Sequence, residues 1–125
     1  MFATLDGAWT VGDKSSQAQP LMYHPASRGW ICVAVTGGSA GGHLTALMGL
    51  TENLSELQLD NPGTDTSVQS CVPFYGVYDF LVRYDQHPNR RIYERFLTGK
   101  ALHESVKDNP ELWDLASPVA QIHPQ

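Results

Sequence analysis

The stretch Ile31-Cys-Val-Ala-Val-Thr-Gly-Gly-Ser-Ala-Gly-Gly-His-Leu44 decides the fold. Trp30 to Val35 is a continuous apolar run rich in β-branched residues, the pattern of a strand buried on both faces. It feeds a glycine-rich turn centred on Ser39. Beyond the turn, Ala40, Leu44, Leu47 and Met48 recur at helical spacing and predict one apolar face of a helix lasting to about Thr51. Gly37-Gly38-Ser39-Ala40-Gly41 thus matches G-x-S-x-G in the setting of strand, sharp turn and helix that a nucleophile elbow requires. A serine held in such a turn has strained backbone angles. Its neighbours two positions away, Gly37 and Gly41, are small enough to let strand and helix pass closely. The helix start also aims backbone N–H groups, with that of Ala40 as one oxyanion donor, at the place where negative charge would develop.

Working outward, Phe2 to Leu5 reads as a short strand and Asp6 to Trp9 as a turn. Gln17 to Ser27 has helical spacing, ended or kinked by Pro25. Gln58 to Ser67, with Asp60-Asn-Pro-Gly63 inside it, is a loop by composition. Val68 to Tyr75 predicts a second buried strand, broken late by Pro73. From Arg90 the chain is helical again, with Ile92, Tyr93, Phe96 and Leu97 apolar and Gly99 as C-cap. Asn109-Pro110 supplies an N-cap and first-turn proline for a short helix, Pro110 to Ala116, stopped by Ser117-Pro118. This alternation is that of an α/β fold with about three mostly parallel strands and flanking helices. At 125 residues the chain is one domain. Its first part, 1–57, holds the turn at Asp6, the elbow and the elbow helix; its second, 68–125, holds the following strand and cap-like helices.

Composition narrows the function. A net charge of −5, spread along the chain apart from Arg90-Arg91, offers no footprint for nucleic acid or anionic lipid, and a small or neutral partner fits better. Cys32 and Cys71 lie in apolar runs without Cys-x-x-Cys spacing, which predicts buried free thiols and no metal site. With no membrane span and no basic, apolar leader, the expected location is cytoplasmic. A nucleotide turn competes for the glycines, since Thr36-Gly37-x-x-x-Gly41-x nearly spells a short-chain dehydrogenase turn. His43 stands where the third glycine would be, and no Tyr-x-x-x-Lys pair occurs, so NAD(P) binding is the weaker reading.

Five segments carry a family resemblance: Leu5-Asp-Gly-Ala-Trp9, Val11-Gly-Asp-Lys14, Gly37-Gly-Ser-Ala-Gly-Gly42, Phe74-Tyr-Gly-Val-Tyr-Asp79 and Asn109-Pro-Glu-Leu-Trp-Asp-Leu-Ala-Ser-Pro118. Together, and in order, they resemble the hormone-sensitive-lipase-like esterases of the α/β-hydrolase fold. The resemblance implies hydrolysis of small carboxylic esters by a Ser-His-Asp triad without a cofactor, Ser39 attacking the carbonyl. It also implies that Gly7 shares the oxyanion with Ala40.

The chain departs from the family pattern at three places. Asp6 stands where the family has a glycine of the oxyanion motif, which puts a carboxylate near developing negative charge. Ile31 to Thr36 has to serve as two strands at once, so a strand-helix unit of several tens of residues is missing. Joining the first helix directly to the elbow strand would force that helix to change face, or leave the elbow in the wrong slot. The family acid and histidine follow two further strands, and the chain stops at Ile122-His-Pro-Gln125 before them. His43, four residues after Ser39, is carried along the helix away from it, which predicts a packing role. His24, His87, His103 and His123 are expected at the surface and Asp79 in a structural loop. Tyr75, Tyr78, Phe80, Tyr93, Phe96 and Trp113 either line an acyl pocket or form core. Besides a hydrolase weak or inactive on its own, the sequence leaves open an acyl- or ester-binding remnant without turnover and a truncated product without function.

Overall fold

The computed structural model describes residues 2–3, 9, 34–58, 63–82 and 89–122. The predicted helix over Gln17–Ser27, the turn residues Asp6 and Gly7, Cys32, and His24, His87 and His123 lie outside the described residues.

Strands β1 (Phe2–Ala3), β2 (Ala34–Gly38) and β3 (Ser70–Phe74) form one sheet in the order β1-β2-β3, with both neighbouring pairs parallel. Phe2 lies opposite Val35, and Ala34 to Gly38 run in register with Ser70 to Phe74. Among the described strands the elbow strand β2 therefore takes the central slot. Its described part also runs on past the predicted end at Val35, through Gly37 and Gly38. The reason is that β3 continues alongside and supplies ladder partners as far as Phe74.

Helix α1 (Ala40–Leu50) follows, closed by Thr51, whose N–H and Oγ–H both donate to the Leu47 carbonyl. The predicted apolar face is not the buried one: Ala40, Gly41, Gly42, His43 and Thr45 are buried, whereas Leu44 and Met48 are exposed. Small residues decide this. At Gly42 no side chain fits where the first turn is wedged against β2 and β3; His43 is buried toward Trp9 and Ala116, and Leu44 and Met48 are turned outward.

The second strand is likewise less buried than its composition suggests. Helix α1 covers one face, where Gly49 meets the Cys71 side chain, while Val72 and Phe74 remain 46% and 52% exposed. As the outer described strand, β3 tolerates Pro73, which has no N–H to give the ladder. Cys71 is a free thiol, half-buried rather than buried as expected.

The core lies beside the sheet. Phe80, Leu97 and Trp113 form its buried centre, with Trp9, Val77, Leu81, Tyr93, Ala101, Leu102, Val106 and Ala116 packed around them. Helix α2 (Arg90–Leu97) contributes Leu97 and then widens into a π-type turn, Thr98–Leu102. Gly99 therefore sits inside the helical run, and His103, at φ 60°, is the left-handed residue that ends it. Helix α3 (Pro110–Leu115) starts as its sequence predicts: Asn109 Oδ1 accepts the Leu112 N–H at 3.0 Å, with Pro110 in the first turn. The Ser117 hydroxyl closes this unit by donating to the Trp113 carbonyl (2.7 Å) and accepting the Phe80 N–H (3.0 Å). Among the described residues no helix is long and apolar enough to cross a membrane.

Candidate functional site

Ser39 joins β2 to α1 at φ 51° and ψ −118°, a left-handed backbone that costs a non-glycine residue about 1–3 kcal/mol. Backbone bonds on both sides hold it there. Its N–H donates to the Phe74 carbonyl at 3.1 Å, and its carbonyl accepts the His43 N–H at 3.0 Å. Although Ser39 is the N-cap of α1, its side chain makes no capping bond. Among the described residues the hydroxyl has no hydrogen-bond partner at all. Ala40 opens α1, so its N–H has no acceptor within the helix.

Close approach at the elbow depends on two further glycines that the pattern G-x-S-x-G does not include. A Cβ on Gly42 would collide with the Phe74 carbonyl oxygen and crowd the Gly37 carbonyl and the Gly76 nitrogen. A Cβ on Gly76 would press on the His43 nitrogen and the Gly42 carbonyl carbon. Their signal in the sequence was present only as Gly42 of the glycine run and Gly76 of Phe74-Tyr-Gly-Val-Tyr-Asp79.

His43 is 4% exposed and points away from the serine hydroxyl, into the core. Its Nδ1 accepts the Trp9 indole N–H at 3.1 Å, and its Nε2 bonds the Ala116 carbonyl at 2.8 Å. The ring stacks on Phe80 with centroids 4.7 Å apart. Burial pushes its pKa below the ordinary value of 6.5, outweighing the Ala116 carbonyl, which acts the other way. The sign of the pH effect follows. Between its folded pKa and 6.5 the unfolded chain binds a proton that the folded chain refuses, so stability is lost as pH falls below 6.5. The slope reaches about 1.4 kcal/mol per pH unit. Urea midpoints between pH 7.5 and 5.5 are expected to fall in the parent chain, and more steeply than in His43→Phe.

Asp79 serves its own loop, with Oδ1 accepting the Leu81 N–H at 3.1 Å. Burial, and secondly the Asp79 charge, push the Tyr93 phenol up to about 12. The six aromatics divide. Phe80, Tyr93 and Trp113 belong to the core, Phe96 packs on Trp9, and the Tyr78 hydroxyl accepts the Gly76 N–H. Tyr75 is 76% exposed, and its phenol lies across Gly38, next to Ser39 in the chain. An apolar hollow of about 220 Å³ is lined by Leu44, Leu47, Met48, Leu54 and Leu57 with a polar edge at Thr51, Gln58 and Thr66. It runs along α1 from Leu44 to Thr51, about 8 to 18 Å along the helix axis from Ser39, and none of its lining residues belongs to the elbow turn. Among the described residues no three His, Cys, Asp or Glu side chains converge as a metal site would require.

The family model for BD-FAE matches residues 31–125, from the elbow strand onward. The chain belongs to the BD-FAE family. This places it among the hormone-sensitive-lipase-like α/β-hydrolases, in agreement with its parallel sheet and elbow. It is similar to three proteins of Mycobacterium tuberculosis. It is 39% identical to the "Probable carboxylic ester hydrolase LipM" over 70% of this chain, 32% identical to "Esterase LipQ" over 94%, and 41% identical to "Esterase LipC" over 72%. It spans 30%, 37% and 22% of their respective lengths.

The alignments with LipQ and LipM are longer than the part of this chain they cover. The LipQ alignment runs over 157 positions, whereas 94% of 125 residues is about 118, leaving about 39 positions of LipQ without a counterpart. LipM leaves about 41, from 129 positions against about 88 residues. LipC leaves almost none, from 91 positions against 90 residues, and an uninterrupted stretch of that length contains residues 36–90 wherever it starts.

Proposed function

We propose that the chain is a segment of a carboxylic-ester hydrolase in which Ser39 is the nucleophile and the N–H groups of Ala40 and Gly7 are the oxyanion donors. The observation that carries this is the conformation of Ser39: a strained serine at a strand-to-helix turn, its hydroxyl unspent on its own helix. Gly37, Gly38 and Gly41 shape the turn. The substrate class is a small carboxylic ester, the reaction needs no cofactor, and the expected setting is the cytoplasm.

The same reading makes this chain weak or inactive by itself. His43 is the nearest histidine in sequence, and both its ring nitrogens are engaged elsewhere. Among the described residues the Ser39 hydroxyl has no hydrogen-bond partner, which supports the reading that its base is missing. Asp6 compounds the loss, because its carboxylate would stand near the negative charge that develops on the oxyanion.

A fluorophosphonate probe tests the missing base. With hydroxide as the sole base, the rate at which Ser39 is labelled should rise about tenfold per pH unit from pH 6 to 9. A plateau above an inflection near pH 7 would show a working histidine and sink the proposal.

A further inference from the structure

The only contact that ties Trp9 to the elbow helix by a hydrogen bond among the described residues is made by His43. Trp9 is two residues after Gly7 in the sequence, the position proposed above as an oxyanion donor. The partners of the imidazole dictate one protonation state. The Ala116 carbonyl can only accept, so Nε2 must carry a proton; the indole N–H can only donate, so Nδ1 must not. An imidazolium would set N–H against N–H. Edge-to-face contacts of the indole with His43 (5.5 Å) and Phe80 (5.7 Å) complete the arrangement, with Phe96 beside it at 6.4 Å.

We propose that His43 is a positioning residue for the oxyanion loop, holding Trp9 against the elbow helix as the neutral Nε2–H tautomer and releasing it when protonated. This rests on the proposed role of Gly7 but adds to it a named clamp and a condition for the clamp to hold. The titratable groups on the elements packed around His43 leave the imidazole alone. Tyr78 bonds Gly76 N–H, Asp79 bonds Leu81 N–H, and Glu111 and Asp114 stand on the exposed side of α3. The switch is therefore set by burial and by Trp9 and Ala116, not by a neighbouring charge. Other side chains of similar size fail in distinct ways. Phenylalanine keeps the stack on Phe80 but offers no acceptor, and glutamine carries its donor and acceptor at one end and cannot reach both partners.

The test uses the whole chain labelled with nitrogen-15, with Trp9→Phe to identify the Trp9 indole signal. In His43→Phe, exchange of the Trp9 Nε1 proton is expected to be about five to ten times faster than in the parent, the factor one net hydrogen bond supports. In the parent, the Trp9 signal is expected to shift on acidification with the same midpoint as the His43 ring. Unchanged exchange in a folded His43→Phe chain would overturn the proposal, since it would mean that His43 only fills space. Should that variant fail to fold, the parent titration decides, and a Trp9 signal that does not follow His43 overturns it. Neither readout involves ester turnover, so failure of the hydrolase reading and failure of the clamp are told apart.

Discussion

Trp113→Ala is expected to remove about 3–5 kcal/mol of folding stability, the cost of deleting a large buried aromatic side chain. Few single positions join so much of this chain. The ring is completely buried between Phe80 and Leu97, and its Nε1–H donates to the Glu104 carbonyl at 3.0 Å. The Trp113 carbonyl accepts the Ser117 hydroxyl, which in turn holds Phe80 N–H. Removing the ring leaves a cavity and frees the Glu104 carbonyl, so neighbouring contacts fall with it. Against a total of about 5–15 kcal/mol for a domain, the loss is enough to populate the unfolded state visibly. Urea unfolding followed by far-ultraviolet circular dichroism measures it, and a shift below 1 kcal/mol would mean that the core is not where this structure places it.

Gly42→Ala is expected to cost about 2–3 kcal/mol, even though alanine is the better helix former. Propensity alone favours alanine by about 1 kcal/mol inside a helix. Here the added methyl would meet the Phe74 carbonyl, the Gly37 carbonyl and the Gly76 nitrogen, all of them backbone. No flexible side chain is present to move aside, so overpacking wins over propensity. Gly99→Ala supplies the control. It lies in the Thr98–Leu102 turn with nothing within 4 Å of its would-be Cβ, and the same exchange there is expected to be neutral or to gain up to about 1 kcal/mol. Equal effects at the two glycines would contradict the close packing of α1 on the sheet.

The two substitutions also show what was legible in the sequence and what was not. Local signals are legible: the strand, turn and helix around Ser39, and the Asn109-Pro110 start of α3, are written in residue types with direct conformational preferences. Burial is less legible. Leu44 and Met48 recur at helical spacing, yet the buried face of α1 is the one with small residues, because the sheet comes too close for large ones. Val72 and Phe74 look like core, but among the described residues only one face of their strand has a helix on it. The contact of Trp9 with His43 spans 34 residues, and no spacing rule within one element can announce it. Periodicity identifies an element and a candidate face; which face is covered depends on neighbours that arrive from elsewhere in the chain.

Ser39 is where these strands of argument meet. Its turn is intact, its hydroxyl is unengaged among the described residues, and the histidine four positions on is committed to Trp9 and Ala116. The most direct measurement compares hydrolysis of a short-chain p-nitrophenyl ester by the purified chain and by Ser39→Ala at pH 7.5. The two are expected to be indistinguishable from each other and close to the uncatalysed rate. Turnover by the parent chain that disappears in Ser39→Ala would contradict the account, because it would show that Ser39 has a base within this chain.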